Sequence, residues 1–325
     1  MAQLKTTFAG LALENPIIIS SSGLTNSAEK IKKLEEAGAG AVVLKSVFEE
    51  QISMQAGSMQ GYGLPEADDY LGAYVRSHAL NEHISLIEET KKICHIPVIA
   101  SINCYSDSEW VDFAIMMEKA GADALEINIL SLQTDKDYTP GSFEQRHIDI
   151  LCHIKKVVKI PVIMKLGSNL TNPVALINQL YANGAAAVVL FNRFYQTDIN
   201  IDTMAFTSAN VMSTPNELPD RLRWTAIASA AVPRLDYAVS GGVHCGKGVI
   251  KSILAGAAAV EVCSVIYQYG AKEIENMKKE LSEWMDEKGY ESLSQFKGKM
   301  NAESAGEINP FERTQFMRYY SNREE

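Results

Sequence analysis

Cysteine is sparse in this chain. There are five in 325 residues, at Cys94, Cys104, Cys152, Cys245 and Cys263. They are dispersed, odd in number and form no C-x-x-C pair. That pattern reads as reduced thiols and argues against a disulfide scaffold and against an iron–sulfur cluster held by this chain. The six histidines contain no H-x-x-x-H pair, so no metal site is expected. No apolar run reaches the roughly 18 residues of a membrane-crossing helix. The opening "MAQLKTTFAG" lacks the charged and apolar regions of a signal peptide. A cytoplasmic protein with no membrane partner is the expectation. Positive charge is also short: 30 Lys and Arg stand against 40 Asp and Glu, a net charge of −10. A nucleic-acid partner is therefore disfavoured, while a local anion site stays open.

What is present is ordinary globular material, 46% hydrophobic and 22% charged, and two patterns alternate through it. One is Gly-Ala followed by an apolar run, at Gly38 ("GAGAVVL"), Gly121 ("GADALEI"), Gly184 ("GAAAVVL") and Gly256 ("GAAAVEV"). Each follows an amphipathic stretch such as "AEKIKKLEEA", so the glycine falls where a helix C-cap needs positive φ and the run after it reads as a buried parallel strand. The other is Pro before an apolar run, at Pro16, Pro97, Pro161 and Pro233. Proline is tolerated at a strand start. Interleaved, the two patterns predict eight strands alternating with helices: a (β/α)8 TIM barrel in one domain, over residues 1–300. A doubly wound open sheet is the alternative. Residues 301–325, with "PFERTQFMRYYS", read as a tail that packs on the barrel or on a neighbouring subunit.

Chemistry in such a barrel sits at the C-terminal ends of the strands. Those ends read Ser21-Ser22-Gly23, Lys45-Ser46, Asn103, Asn128, Lys165, Asn192, Ser240-Gly241-Gly242 and Cys263-Ser264. Two lysines and three asparagines closing apolar strands predict a ligand site at one mouth. The last two ends suit a phosphate, because Gly-Gly lets backbone approach an anion closely. Lys165 is placed to stabilise the negative charge of a reduced flavin.

The segments "LENPIIISSSG", "AGAGAVVLKS", "YGLPEADDYL", "IPVIMKLGSNL" and "VSGGVHCGKGVIKSILAGAAAVEVCS" resemble the dihydroorotate dehydrogenase family, the FMN-dependent barrels of pyrimidine synthesis. "KGYESLSQFKGKM" is close to the C-terminal signature of its soluble class 1 branch. The resemblance implies an FMN-dependent oxidoreductase acting on CH–CH bonds. It implies FMN contacts at Ser22, Lys45, Asn103, Lys165, Gly242 and Ser264, with Gly23, Ser46, Ser240, Gly241 and Cys263 beside them. Asn128 and Asn192 fall where the family's asparagines hold both flavin and orotate. Ser131, in "NILSLQ", lands on the position of the base that removes the C5 proton, and Lys45 joins it in the expected catalytic set.

The substrate half departs from the pattern. Where the family has N-x-S-(C/S)-P-N, this chain has Leu130, Leu132 and Gln133; Gln60 replaces an asparagine before the "GLP" turn, and Arg193 replaces the serine after Asn192. Gln60, Asn128, Gln133, Asn192 and Arg193 are the expected substrate residues, with Arg193 offered as a carboxylate clamp. Three readings stay open: an FMN oxidoreductase of the dihydroorotate dehydrogenase type with a rewritten substrate half-site that oxidises dihydroorotate weakly or not at all, an FMN enzyme for another cyclic amide or carboxylate, and a flavin-binding paralogue without efficient dihydroorotate oxidation. The expected partners are a small-molecule substrate, a second copy of the chain in a homodimer, and a separate electron-transfer subunit if NAD is used.

Overall fold

The computed structural model describes residues 2–48, 65–104, 110–305 and 311, and the side chains of all of these except 65–77 and 305. Gln60 and most of the C-terminal tail lie outside the described residues.

Eight parallel strands close into a ring: β3 (Ile17–Ile19), β4 (Ala41–Val43), β6 (Val98–Asn103), β7 (Ala124–Ile129), β8 (Val162–Gly167), β9 (Ala187–Asn192), β12 (Asp236–Ser240) and β13 (Ala259–Val262). β13 pairs with β3, and β4 pairs with both β3 and β6, which closes the circle and excludes the open sheet. The fold is the expected (β/α)8 barrel. Helices alternate with these strands: α1 (Ala28–Glu36), α2 (Pro65–Ile93), α3 (Trp110–Lys119), α4 (Ser142–Lys155), α5 (Pro173–Ala182), α6 (Leu218–Ala231) and α7 (Gly246–Leu254), then α8 (Ser264–Tyr269) and α9 (Lys272–Lys288) after the last strand.

Local chemistry sets these boundaries. Helix α1 begins where Ser27 Oγ accepts from Lys30 N–H at 3.4 Å, satisfying one of the free amides of the first turn. It buries Ala28, Ile31 and Leu34, the inward stripe of an amphipathic helix. The four repeat glycines, Gly38, Gly121, Gly184 and Gly256, all take positive φ, from 89° to 113°, a conformation that costs a side-chain-bearing residue energy.

Alternation along each strand divides the core in two. Outward residues such as Ile17, Ile19, Val42, Ile127 and Met164 pack under the helices. Inward residues Ile18, Ala41, Val43, Ile99, Ala124, Ile163, Ala187, Val189, Ala238 and Ala259 form a second cluster inside the barrel. The antiparallel hairpin of β1 (Thr6–Phe8) and β2 (Leu11–Leu13) closes the bottom. Its Phe8 and Leu13 join the inner cluster, and Ala9 N–H donates to Asp236 at the start of β12. Small inward alanines leave room for that plug.

One element has no counterpart in the expected pattern. After β9 the chain forms an antiparallel hairpin, β10 (Thr197–Asn200) with β11 (Ala205–Ser208). It carries Ile199, Ile201, Met204 and Phe206 in exposed positions. The short β5 (Val47–Phe48) adds to β6 beyond β4. At the C-terminal end, Ala302 N–H donates to Ala226 O, so the first described residues of the tail lie on α6.

Candidate active site

Inward rows change character on the way up the barrel. On β7 the row runs Ala124, Glu126, Asn128; on β6, Ile99, Ser101, Asn103; on β8, Ile163, Lys165. Apolar below and polar above, these rows end in a cavity of about 670 Å³ at the strand C-termini. That volume is in the range of small-molecule and cofactor sites. Every cofactor candidate named from the strand ends lines it: Ser22, Gly23, Lys45, Ser46, Asn103, Asn128, Lys165, Asn192, Ser240, Gly241, Gly242, Cys263 and Ser264. Phe191, Phe194, Tyr195 and Met212 add apolar wall.

The floor is charged. Lys165 Nζ lies 2.5 Å from Glu261 Oε2, 3.0 Å from Ser20 Oγ and 3.6 Å from Glu126 Oε1, and all three charged side chains are buried. Burial opposes the Lys165 charge, but the two carboxyls outweigh it and hold its proton more tightly than usual. Burial likewise works against the Glu261 carboxylate. Lys165 overcomes it, and Glu261 ends below the usual range. Glu126 goes the other way: burial first, and the neighbouring Glu261 charge second, push it well above the usual range. Ser20, Glu126 and Glu261 were missing from the sequence-derived site. The available signal was parity, since each stands two residues before or beside a polar strand end on the inward row.

Serines form one wall. Ser46 Oγ lies 2.8 Å from both Ser21 Oγ and Ser101 Oγ, linking the rim to the interior. Lys45 stands 4.4 Å over the Phe48 ring, and burial lowers its proton affinity. Asn192 Nδ2 donates to Asn128 Oδ1 at 2.9 Å.

The glycine end is shaped by α6. Gly241 and Gly242 both have positive φ, 91° and 81°. A Cβ on Gly242 would sit 2.4 Å from Leu218 N, at the first turn of α6. Arg221 packs behind Gly241, where a Cβ would meet its Nε at 3.4 Å. This half-buried guanidinium, paired with Glu217 and Asp220, is a second feature that the sequence did not reveal. Ser264 Oγ accepts from Ser213 N–H at 3.0 Å, and Ser213 Oγ is 3.0 Å from His244 Nε2.

The substrate candidates separate. Asn128, Asn192 and Arg193 line the cavity; Ser131 and Gln133 stand outside its wall. Gln133 is exposed, its amide donates to Ser131 Oγ at 3.3 Å, and Asn169 donates to the Ser131 carbonyl at 2.9 Å. Arg193 is committed elsewhere. Nε bonds Glu217 at 3.0 Å, and the two terminal nitrogens bond the carbonyls of Val211 and Asn210 at 2.8 and 2.7 Å. Its guanidinium ties down the exit of the β10–β11 hairpin, which commits three of its five N–H groups and leaves one on each terminal nitrogen.

A parallel barrel with a glycine-lined end, a buried lysine at the cavity floor and amides on the wall defines a small-molecule enzyme of the (β/α)8 class. The model of the dihydroorotate dehydrogenase family matches residues 3–285, and the chain belongs to that family. Its members are oxidoreductases acting on CH–CH bonds. The chain is 30% identical over 311 residues to the catalytic subunit of dihydroorotate dehydrogenase B (NAD(+)) of Thermoplasma volcanium, covering 92% of this chain and 98% of that one. It is 26% identical over 312 residues to a putative dihydroorotate dehydrogenase A (fumarate) of Aeropyrum pernix, covering 91% and 97%. It is also 24% identical over 319 residues to the NAD-dependent dihydropyrimidine dehydrogenase subunit PreA of Escherichia coli, covering 92% and 77%. Among the described residues, no helix is long and apolar enough to cross a membrane.

Proposed function

We propose that the chain binds FMN in this cavity and uses it to oxidise or reduce a ring C–C bond of a small cyclic amide. The donor set suits that cofactor. Gly241, Gly242 and Ser264 offer backbone approach for a phosphate, with the half-buried Arg221 cation behind them. Lys165 offers positive charge at the floor, and the three asparagines offer amides able to donate and accept along a polar ring edge. FMN, when bound, supplies the hydride chemistry. The chain's own residues orient the ring, hold charge near it and exclude water. The observation that carries the reading is Lys165: a buried ammonium facing a cavity is a preorganised charge, and preorganised charge stabilises what appears during reaction.

A dihydropyrimidine lacking a carboxylate is favoured over dihydroorotate. Arg193 commits three of its five N–H groups to Glu217, Val211 and Asn210, which weakens it as a clamp for the orotate carboxylate. The loop from Leu130 to Gln133 has lost the family's proline and closing asparagine, and one relative is a dihydropyrimidine dehydrogenase subunit. Ser131 would act as a modest base or a hydrogen-bond donor, since a hydroxyl without an activating partner is a weak base. With no clustered cysteines to hold an iron–sulfur centre, exchange of electrons with NAD would pass through a separate subunit. The test is anaerobic. The flavin absorbance of the purified holoprotein is followed after mixing with dihydroorotate or with dihydrouracil. Bleaching by dihydrouracil alone supports the reading. Rapid bleaching by dihydroorotate, at about the 10 per second of a median enzyme, would make the chain an ordinary dihydroorotate dehydrogenase. Protein that retains no flavin would overturn the cofactor assignment itself.

A further inference from the structure

The cavity floor holds two carboxyls and one ammonium, and only one of the carboxyls is provided for. Glu261 Oε2 accepts from both Lys165 and Ser20. Neither oxygen of Glu126 accepts a hydrogen bond from an N–H or O–H donor, and the side chain is 1% exposed. Lys165 Nζ, at 3.6 Å, is too far for a hydrogen bond. An ionised carboxylate so placed would be desolvated without a protein donor to hydrogen-bond it, a cost that a buried group avoids by taking a proton. Charge counting agrees: a single ammonium balances a single carboxylate.

We propose that Glu126 is a positioning residue that carries a proton in the resting protein, so that Lys165, Glu261 and Glu126 form a unit of zero net charge whose cation faces the cavity. Among the described residues, the groups around Glu126 leave no other balance. Lys165 faces it from β8 and Glu261 from β13, while Ser101, its register partner on β6, is uncharged. Cys263, at the end of β13, is held as a thiol by burial. The acid proton has Glu261 as its neighbouring acceptor.

The consequence for the site rests on the FMN reading. With both carboxyls ionised the floor would carry one net negative charge and would oppose any anion formed above it. With Glu126 neutral, the field of Lys165 is available to a ligand. Glu126 thus acts through Lys165 and touches no ligand itself; Lys165 and Glu261 line the cavity, and Glu126 does not.

Infrared spectroscopy tests the protonation without reference to catalysis or flavin. The wild-type holoprotein is expected to show a protonated-carboxyl C=O band through neutral and mildly alkaline pH. The band should vanish in the difference spectrum against Glu126→Gln. It should also vanish in Glu261→Gln, because Glu126 then becomes the sole counter-ion of Lys165 and ionises. A band that survives in Glu126→Gln, or wild-type protein without the band, overturns the proposal, and the wild-type measurement needs no variant to fold. The flavin midpoint potential gives the second readout. Glu126→Gln mimics the neutral acid and is expected to leave the potential and its pH dependence unchanged. A change in either would show that Glu126 is ionised. If the band behaves as expected but no flavin is retained, the protonation stands and the FMN reading falls.

Discussion

Asn192 and Asn128, at the ends of strands β9 and β7, are joined by a 2.9 Å hydrogen bond from Nδ2 to Oδ1. Strand β8 lies between them in the barrel. The bond therefore bridges the strand that carries Lys165 and fixes both amides relative to it. Asn192→Ala removes the donor and leaves Asn128 Oδ1 without it, a loss of about 1–3 kcal/mol where the group stays desolvated. FMN affinity, measured by fluorescence titration of the apoprotein, is expected to fall about tenfold or more.

Lys165→Ala makes the bound flavin harder to reduce while sparing the phosphate end. Losing one charged hydrogen bond corresponds to a midpoint shift on the order of 30–60 mV downward for a two-electron couple. The fold also suffers, because removing one partner of a buried pair costs about 3–5 kcal/mol. Potentiometry and a denaturant midpoint separate the two effects. An unchanged potential would remove Lys165 from the flavin site.

Glu126 and Glu261 act oppositely on stability as pH changes. Glu261 has its proton affinity depressed by Lys165, so its contribution is present above the unfolded carboxylate range and is lost as pH falls through its lower folded value. Glu126 is raised: the unfolded chain releases its proton above the ordinary carboxylate range while the folded chain keeps it. Stability therefore falls by about 1.4 kcal/mol per pH unit across that window. Glu126→Gln is expected to be more stable than wild type at neutral pH and equal to it in acid. Urea melts at several pH values would show it.

Gly242→Ala puts a Cβ 2.4 Å from the Leu218 backbone at φ 81°. Backbone at the start of α6 has to move, so the expected cost exceeds the roughly 1–3 kcal/mol of φ strain alone, and flavin content drops with it. Gly241→Ala meets only the Arg221 side chain at 3.4 Å and is expected to be milder. Thermal melts of the two variants give the order.

The loop "NILSLQ" is tested by three anaerobic comparisons with dihydroorotate: wild type, Ser131→Ala, and Leu132→Pro with Gln133→Asn. Gain of flavin reduction in the double variant, and loss in Ser131→Ala, would mark a re-tuned catalytic loop. Arg193→Ala is expected to weaken carboxylate and non-carboxylate substrates alike, because its guanidinium holds Val211, Asn210 and Glu217. A loss confined to carboxylates would restore the clamp.

The barrel was legible because it repeats. Glycine caps and strand prolines recur four times each, and helix and strand periods are local properties that survive without tertiary information. The strand-end residues followed from that count, and the cavity gathers them. The Glu126–Lys165–Glu261 cluster was less visible. Each glutamate sits inside an apolar run, and only the inward parity shared by three distant strands brings them together. The surroundings of Arg193 were hidden for the complementary reason. Nothing in "FNRFYQ" indicates that the hairpin behind it returns two carbonyls and Glu217 to its guanidinium. The hairpin itself carries weak alternation and emerges only in three dimensions.

The hairpin of β1 and β2 closes the lower end of the barrel with Phe8 and Leu13, so among the described residues the cavity opens at the strand C-termini. If FMN lies there as proposed, two small molecules that both need the same face of its ring would have to use that opening in turn, the first leaving before the second arrives. Initial rates against the two substrates should trace parallel double-reciprocal lines, with each substrate inhibiting when it occupies the form meant for the other. A partner subunit that removes electrons through the barrel wall would lift that exclusion, since the acceptor would no longer stand in the doorway.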